Sequence, residues 1–193
     1  SLPVKNVADL VKLAKARPGQ LTYASAGSGS TTHLSAELFK TMGGLNMIHV
    51  PYKGGAPAIA DLIGGHIKIA MSTVPTAINY VRSGQARPIA VTSPERSPAL
   101  PQVPTMREQG FDDPLFAAAV YIAFVAPART PESVMKKLAD EIRKVLADPE
   151  VGRLMNERGL DIMNSTPREF EASHRAEAEV ILKRIKDFGL VAQ

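Results

Sequence analysis

Between Leu21 and Thr92 the apolar pattern alternates between a period of two and a helical period, with links of only a few residues. That alternation restricts the chain more than any other feature. Leu21 and Tyr23 suit a strand, and Leu34, Leu38 and Met42 recur at i, i+4 and i+8 as one face of a helix that Gly43-Gly44 ends. Met47 to Tyr52 reads as a strand, and about Pro57 to Ile63 as a short helix with Ile59, Leu62 and Ile63 inward. Ile67, Ile69 and Met71 alternate with His66, Lys68 and Ala70 as a further strand. Val74, Ala77, Ile78 and Val81 form a helical stripe that Gly84 closes, with Pro75 in the first turn, and Pro88 to Thr92 predicts a fourth strand. Strands separated by helices predict a parallel α/β sheet, and such sheets bind ligands at the carboxyl ends of their strands. Three polar loops fall on that edge: Ser25–Thr32, Tyr52–Gly55 and Ser72–Thr73.

The first loop is the richest in chemistry. Ser25, Gly27, Ser28, Gly29, Ser30, Thr31 and Thr32 carry little bulk and many hydroxyls. They lead into a helix start, where backbone N–H groups lack partners and the dipole adds roughly half a positive charge. Such a loop seats an anion, a carboxylate as readily as a phosphate, and it serves equally as a tight turn with an N-cap. The phosphate fingerprints are incomplete: Gly27-Ser28-Gly29 is followed by Ser30-Thr31-Thr32 without a third glycine, and no lysine follows to make a P-loop. Tyr52-Lys53 reads either as a second anion contact or as a strand-end tyrosine beside a solvated lysine. His33 follows Ser25 by eight residues and Ser30 by three, which permits a Ser–His contact. Gly-x-Ser-x-Gly is absent, however, and a lone histidine in a first helical turn is more often a hydrogen-bonding partner than a base.

Several classes are excluded. The chain has no cysteine, so disulfides, thiolate metal sites and cysteine nucleophiles are ruled out together. His33, His49, His66 and His174 share no metal-ligand spacing. The net charge of +4 is dispersed, as in Lys136-Lys137 beside Asp140-Glu141, and aromatics make up only 5%, against a nucleic-acid binder. No apolar run is long enough to cross a bilayer, and Ser1-Leu-Pro-Val-Lys5 is neither a signal nor a transit peptide. With 45% apolar and 22% charged residues, 193 residues suffice for one well-packed domain or two small ones.

Outside the alternating region, Val7, Leu10, Val11 and Ala14 predict a helix over Val7–Ala16, capped by Asn6 and stopped by Pro18-Gly19. After Thr92 the rhythm breaks. Pro94, Pro98, Pro101 and Pro104 mark a semi-rigid connector, followed by a brief helix over Thr105–Gln109. Phe116 to Ala126 is an apolar run that predicts a buried strand ending at Pro127. Three helices close the chain. One starts at Thr130-Pro131-Glu132 and carries Val134, Leu138, Ile142 and Val145 on one face; the second runs from Asp148-Pro149 to Gly159. The third starts at the capping box Thr166–Glu169 and runs to about Phe188. One strand is too little sheet for three such helices, so the pattern predicts a lobe with pieces missing.

Several stretches, taken together, resemble one family. Tyr23–Leu34, His49–Gly54, Ala90–Pro98 with Pro101–Thr105, Phe124–Pro131 and Ser165–Phe170 look like the solute-binding proteins of tripartite tricarboxylate transporters, the Bordetella uptake gene family. The match runs in order over nearly the whole chain. It implies an α/β, periplasmic-binding-protein-like (type II) two-lobed fold that closes on a small carboxylate, uses no cofactor, is not an enzyme, and delivers its ligand in the periplasm to the transporter's membrane subunits. By the resemblance, Ser25, Gly27, Ser28, Gly29, Ser30, Thr31 and His33 form one wall of the cleft and hold a carboxylate partly through ordered waters, with Tyr52, Ser72 and Thr73 on the same side.

Two departures stand out. Family members carry a longer N-terminal portion that supplies the first strands of lobe one, and many carry Asp-Asn or a similar pair where this chain has Ser72-Thr73. The expected organisation is a complete middle lobe over residues 1–92, a crossover over 93–119, and a C-terminal strand and helices of an incomplete first lobe over 120–193. Uncovered strand edges and helix faces would then favour self-association. The alternative from another class is a nucleotide- or phosphoester-using α/β enzyme with phosphates at Gly27–Thr31.

Overall fold

Leu21–Ser25 (β1) is the central strand of a three-stranded parallel sheet, flanked by Met47–Pro51 (β2) on one side and Ile69–Ala70 (β3) on the other. The structure, a computed structural model, describes residues 2–117 and 122–187. Parallel neighbours require crossovers. Thr31–Gly43 (α2) links β1 to β2, and Gly55–Ile63 (α3) links β2 to β3. Val7–Ala16 (α1) precedes the sheet, and Val74–Arg82 (α4) follows it.

Alternation along β1 sorts its side chains between two cores. Leu21 and Tyr23 join Met47 in a cluster with Val7, Leu10 and Ala14 of α1 and Leu38 and Phe39 of α2. Ala24 points the other way, onto Ala58 and Ile67. The helix ends follow local chemistry. Asn6 Oδ1 accepts the Asp9 amide at the start of α1, Ser30 Oγ accepts the His33 amide at the start of α2, and Gly44 closes α2 in the left-handed region at φ 60°.

Three expectations change after α4. Pro88–Thr92 is not a fourth strand: Val91 makes a single parallel bridge to Thr105, through Val91 N–H to Pro104 O (3.0 Å) and Met106 N–H to Val91 O (2.8 Å). Pro104 has no N–H to extend the ladder, and the Gln109 side chain, not a strand, serves Ile89 O at 2.8 Å. The short helix expected over Thr105–Gln109 is a 3₁₀ turn at Arg107–Gln109. It is held by a reciprocal pair, Glu108 N–H to Thr105 Oγ1 and Thr105 N–H to Glu108 Oε2.

The buried strand expected over Phe116–Ala126 is also corrected. Leu115 and Phe116 are buried, but in a 3₁₀ turn over Pro114–Ala117 whose start is set by Leu115 N–H donating to Asp113 Oδ1. Residues 118–121 lie outside those described. Ile122–Ala126 has no regular structure, and Ile122, Phe124 and Val125 are exposed. An apolar run becomes a strand only where a sheet edge offers it partners, and among the described residues none pairs with this one.

Glu132–Leu146 (α5), Pro149–Glu157 (α6) and Pro167–Asp187 (α7) complete the chain, with the Thr166–Glu169 capping box formed. Ile181 and Ile185 of α7 pack on the first core, and Gly159 presses on Val74 at the start of α4. Val134, Leu138 and Val145 of α5 remain exposed, so its apolar stripe is uncovered. Among the described residues no helix is long and apolar enough to cross a membrane.

Candidate functional site

Because the three strands run parallel, their carboxyl ends, Ser25, Pro51 and Ala70, fall on one edge, and the three polar loops meet there. Backbone bonds carry the sheet into the loops: Tyr52 N–H to Ser25 O (3.2 Å), Gly54 N–H to Ala26 O (3.2 Å) and Met71 N–H to Ala24 O (3.0 Å). Thr73 Oγ1 lies 2.8 Å from Thr76 Oγ1, and Thr76 packs on Gly55, which ties the second loop to the third.

Inside the first loop most donors are committed. Ala26 N–H donates to Thr32 Oγ1 (3.0 Å), Gly27 N–H to Ser25 Oγ (3.2 Å) and Gly29 N–H to His33 Nδ1 (3.1 Å). Gly27 O accepts both the amide (3.2 Å) and the hydroxyl (2.7 Å) of Ser30. These bonds leave out the amides of Ser28, Thr31 and Thr32 and the hydroxyls of Ser28 and Thr31. Ser28 and Gly29 are exposed at the rim. The loop therefore keeps uncommitted amides at the positive end of α2, with Ser28 the exposed one.

The expected site residues thus separate into two groups. Ser28 and Gly29 are exposed, and Thr31, Ser72 and Thr73 are half-buried. Ser25 is fully buried and holds the loop from beneath, and the Ser30 hydroxyl donates inward to Gly27 O. The Tyr52 hydroxyl turns away and donates to Asp61 Oδ2 (2.7 Å), so Tyr52 meets the loop through its backbone. There is a Ser–His contact, but its histidine is His49: Nε2 lies 2.7 Å from Ser25 Oγ. With Ser25 sealed under the loop, no substrate carbonyl reaches that pair. Among the described residues no cluster of three or more His, Asp or Glu is placed to hold a metal ion.

Below the loop lies a polar cluster that sequence reading did not assemble. The rings of Tyr23, His49 and His33 stack in that order, with centroids 5.0 Å and 4.1 Å apart. Glu37 accepts the Tyr23 hydroxyl and is paired with Lys40 Nζ at 2.7 Å, and His33 Nε2 lies 3.8 Å from Glu37 Oε1. Burial pushes both imidazoles below their usual value, His49 further through the neighbouring His33; Glu37 opposes the fall at both rings, and the weaker Lys40 effect adds to it. Burial, then Glu37, raises the Tyr23 phenol. Burial alone would raise the Glu37 carboxyl, but the bonds from Lys40 and Tyr23 hold it below its usual range. The signal for this cluster was the register Tyr23↔His49, which no single strand's sequence displays.

Two open surface hollows lie elsewhere, one of about 650 Å³ along α5 and one of about 220 Å³ beside Thr92 and Phe116. The loop edge is a wall of donors.

Residues 1–186 match the family described as the tripartite tricarboxylate transporter family receptor. The chain is 35% identical over 158 residues to protein BugT of Bordetella pertussis, covering 82% of this chain and 48% of that one. It is similar to a solved structure of a periplasmic transporter (TM-score 0.92, 30% identity, 100% of this chain and 64% of that one). It is also similar to R. palustris Rpa4515, solved with adipate (TM-score 0.89, 34% identity, 99% and 63%). The chain spans about half the length of most of the curated relatives it matches.

Proposed function

Because the chain belongs to the tripartite tricarboxylate transporter family of receptors, we propose that it takes part in binding a small carboxylate, with the Ser25–His33 loop gripping one end of the ligand. The observation that carries this reading is that the Ser28, Thr31 and Thr32 amides have no partner among the loop's internal hydrogen bonds, with Ser28 exposed, Thr31 half-buried and Thr32 buried. A carboxylate is an acceptor-only group with two oxygens. Each charge-assisted bond to it contributes about 1.5–3 kcal/mol net, and the start of α2 adds its dipole. Ser72 and Thr73 lie at the same edge, with the Ser72 hydroxyl 3.4 Å from Thr73 O and the Thr73 hydroxyl paired with Thr76.

The solute class is a short dicarboxylate, as suggested by the adipate reported with R. palustris Rpa4515. Such a ligand changes the protein only by binding one arrangement better than another, so closure around it, and delivery to the transporter's membrane subunits, would follow from differential contacts rather than from chemistry. Delivery in the periplasm is part of the same proposal. In this reading the exposed stripe on α5 is covered by further protein, either the remainder of a longer receptor or a second copy.

The phosphoester reading gains no support from the site. Thr32 stands at the third fingerprint position, and its hydroxyl is spent on the Ala26 amide. Competition separates the two: adipate should displace inorganic phosphate from the loop, and phosphate binding tighter than adipate would overturn the carboxylate reading.

A further inference from the structure

We propose that His49 is a positioning residue for this loop, acting through Ser25 and His33, and that a proton taken up by the stacked His33–His49 pair unlatches the loop and releases its carboxylate. The release half rests on the carboxylate reading above; the latch half does not.

The geometry makes His33 an acceptor, and the same role is assigned to His49 from the crowding around Ser25. Gly29 N–H points at His33 Nδ1 (3.1 Å), so that nitrogen must present a lone pair and the ring proton sits on Nε2, toward Glu37. Ser25 Oγ already accepts the Gly27 amide, and Gly27 O, 3.3 Å from Ser25 Oγ, already accepts the Ser30 amide and hydroxyl. Of the two acceptors within reach of the Ser25 hydroxyl, Gly27 O at 3.3 Å and His49 Nε2 at 2.7 Å, we assign its proton to the nearer and less crowded one, His49 Nε2. His49 thus fixes the serine at the loop's start, and its ring, stacked at 4.1 Å on His33, fixes the acceptor that holds Gly29. One side chain controls both halves of the loop.

Protonation reverses these roles. A proton on His33 Nδ1 sets a donor against the Gly29 amide. A proton on His49 Nε2 forces the Ser25 hydroxyl onto a carbonyl that already has two donors. Two cations at this spacing repel, so one proton suffices per pair.

Among the described residues the groups facing the pair are few. From β1 comes the Tyr23 phenol, which stays protonated and donates to Glu37; from α2 come Glu37 and Lys40. Glu37 is the only anion among them, and it is already shared between Lys40 and Tyr23. It lies 3.8 Å from His33 Nε2 and favours the imidazolium, with its charge divided among these partners.

The test uses the labelled 193-residue chain. Long-range proton–nitrogen spectra at pH 7.5 should show His33 with its proton on Nε2 and His49 with its proton on Nδ1, a measurement that needs no variant. As the pH falls through the depressed range of the folded pair, the protection factor of the Gly29 amide, its intrinsic over its observed exchange rate, should fall at least tenfold. His49→Phe, which keeps a ring in the stack, should reduce that step, and His66→Gln should leave it unchanged. The opposite tautomers, or no acid step at Gly29, overturn the latch.

For release, adipate occupancy read at Ser28 and Thr31 should fall at least fivefold more between pH 7.5 and 5 than in His49→Phe, a comparison that cancels titration of adipate itself. Tighter binding in acid overturns the release. Adipate shifts absent at every pH, with the Gly29 step intact, would count against the carboxylate reading and leave the latch standing.

Discussion

Gly27 lies against the carbonyl of Tyr52: a β-carbon built at position 27 would stand 3.1 Å from Tyr52 O, and the backbone there has φ +126°. The first and second loops meet at that contact, which only glycine permits. Gly27→Ala would pay twice, in a conformation that L side chains rarely adopt and in displaced backbone. We expect a loss of about 1–3 kcal/mol in urea unfolding. An unchanged midpoint would show that the loops are not in contact.

Ser30→Ala removes the N-cap of α2 and the hydroxyl that ties down Gly27 O. The expected cost is about 1 kcal/mol of stability. Loop affinity should fall as well, because the donors at Ser28 and Thr31 lose their support rather than because Ser30 touches the ligand. Chemical denaturation with and without adipate distinguishes the two effects. Unaltered stability with weakened binding would put the Ser30 hydroxyl in direct contact with the ligand.

The stacked histidines set a pH dependence of stability. Both are held below their ordinary value of 6.5, so the unfolded chain takes up protons first as the pH falls. Stability is complete above about 6.5 and is lost as the pH falls through the depressed folded values. Glu37, held below its ordinary 4.5, acts only in a more acid window. The urea midpoint should therefore be lower at pH 5 than at pH 7.5, with a smaller drop in His49→Phe. A flat profile over that range would contradict the burial of the pair.

Val134, Leu138 and Val145 form an exposed apolar stripe on α5, and Leu154 of α6 is exposed near them in sequence. Uncovered faces of this kind associate. Light scattering on the 193-residue chain should show oligomers, and Leu138→Lys should shift them toward monomer. A clean monomer for the native sequence would mean the stripe is tolerated in water.

Much of this was legible in the residues. The bounds of α1 and the β1–α2–β2 order follow from spacing, from Asn6 and Ser30 as caps and from Gly44 as a stop. The placing of three loops on one edge follows from parallel topology. What could not be read was anything set by lateral partners. Pro88–Thr92 and Phe116–Ala126 have the composition of strands, yet a strand needs a neighbour, and composition does not reveal whether one is present. His49 was likewise invisible as a site residue, because its importance comes from register with Tyr23 and from the ring of His33 on another element. Ser25 and Ser30, which the resemblance places in the cleft wall, use their hydroxyls inside the loop, where an unpaired buried polar group would be costly.

The most direct test of the account is an amide-resolved titration of the 193-residue chain with adipate at pH 7.5. We expect saturable shifts concentrated at Ser28, Thr31 and Thr32, with smaller changes at Ser72 and Thr73. The affinity should be weak, on the order of millimolar, or about 4 kcal/mol of binding free energy. Shifts spread over α5, or none at the loop up to tens of millimolar, would contradict it.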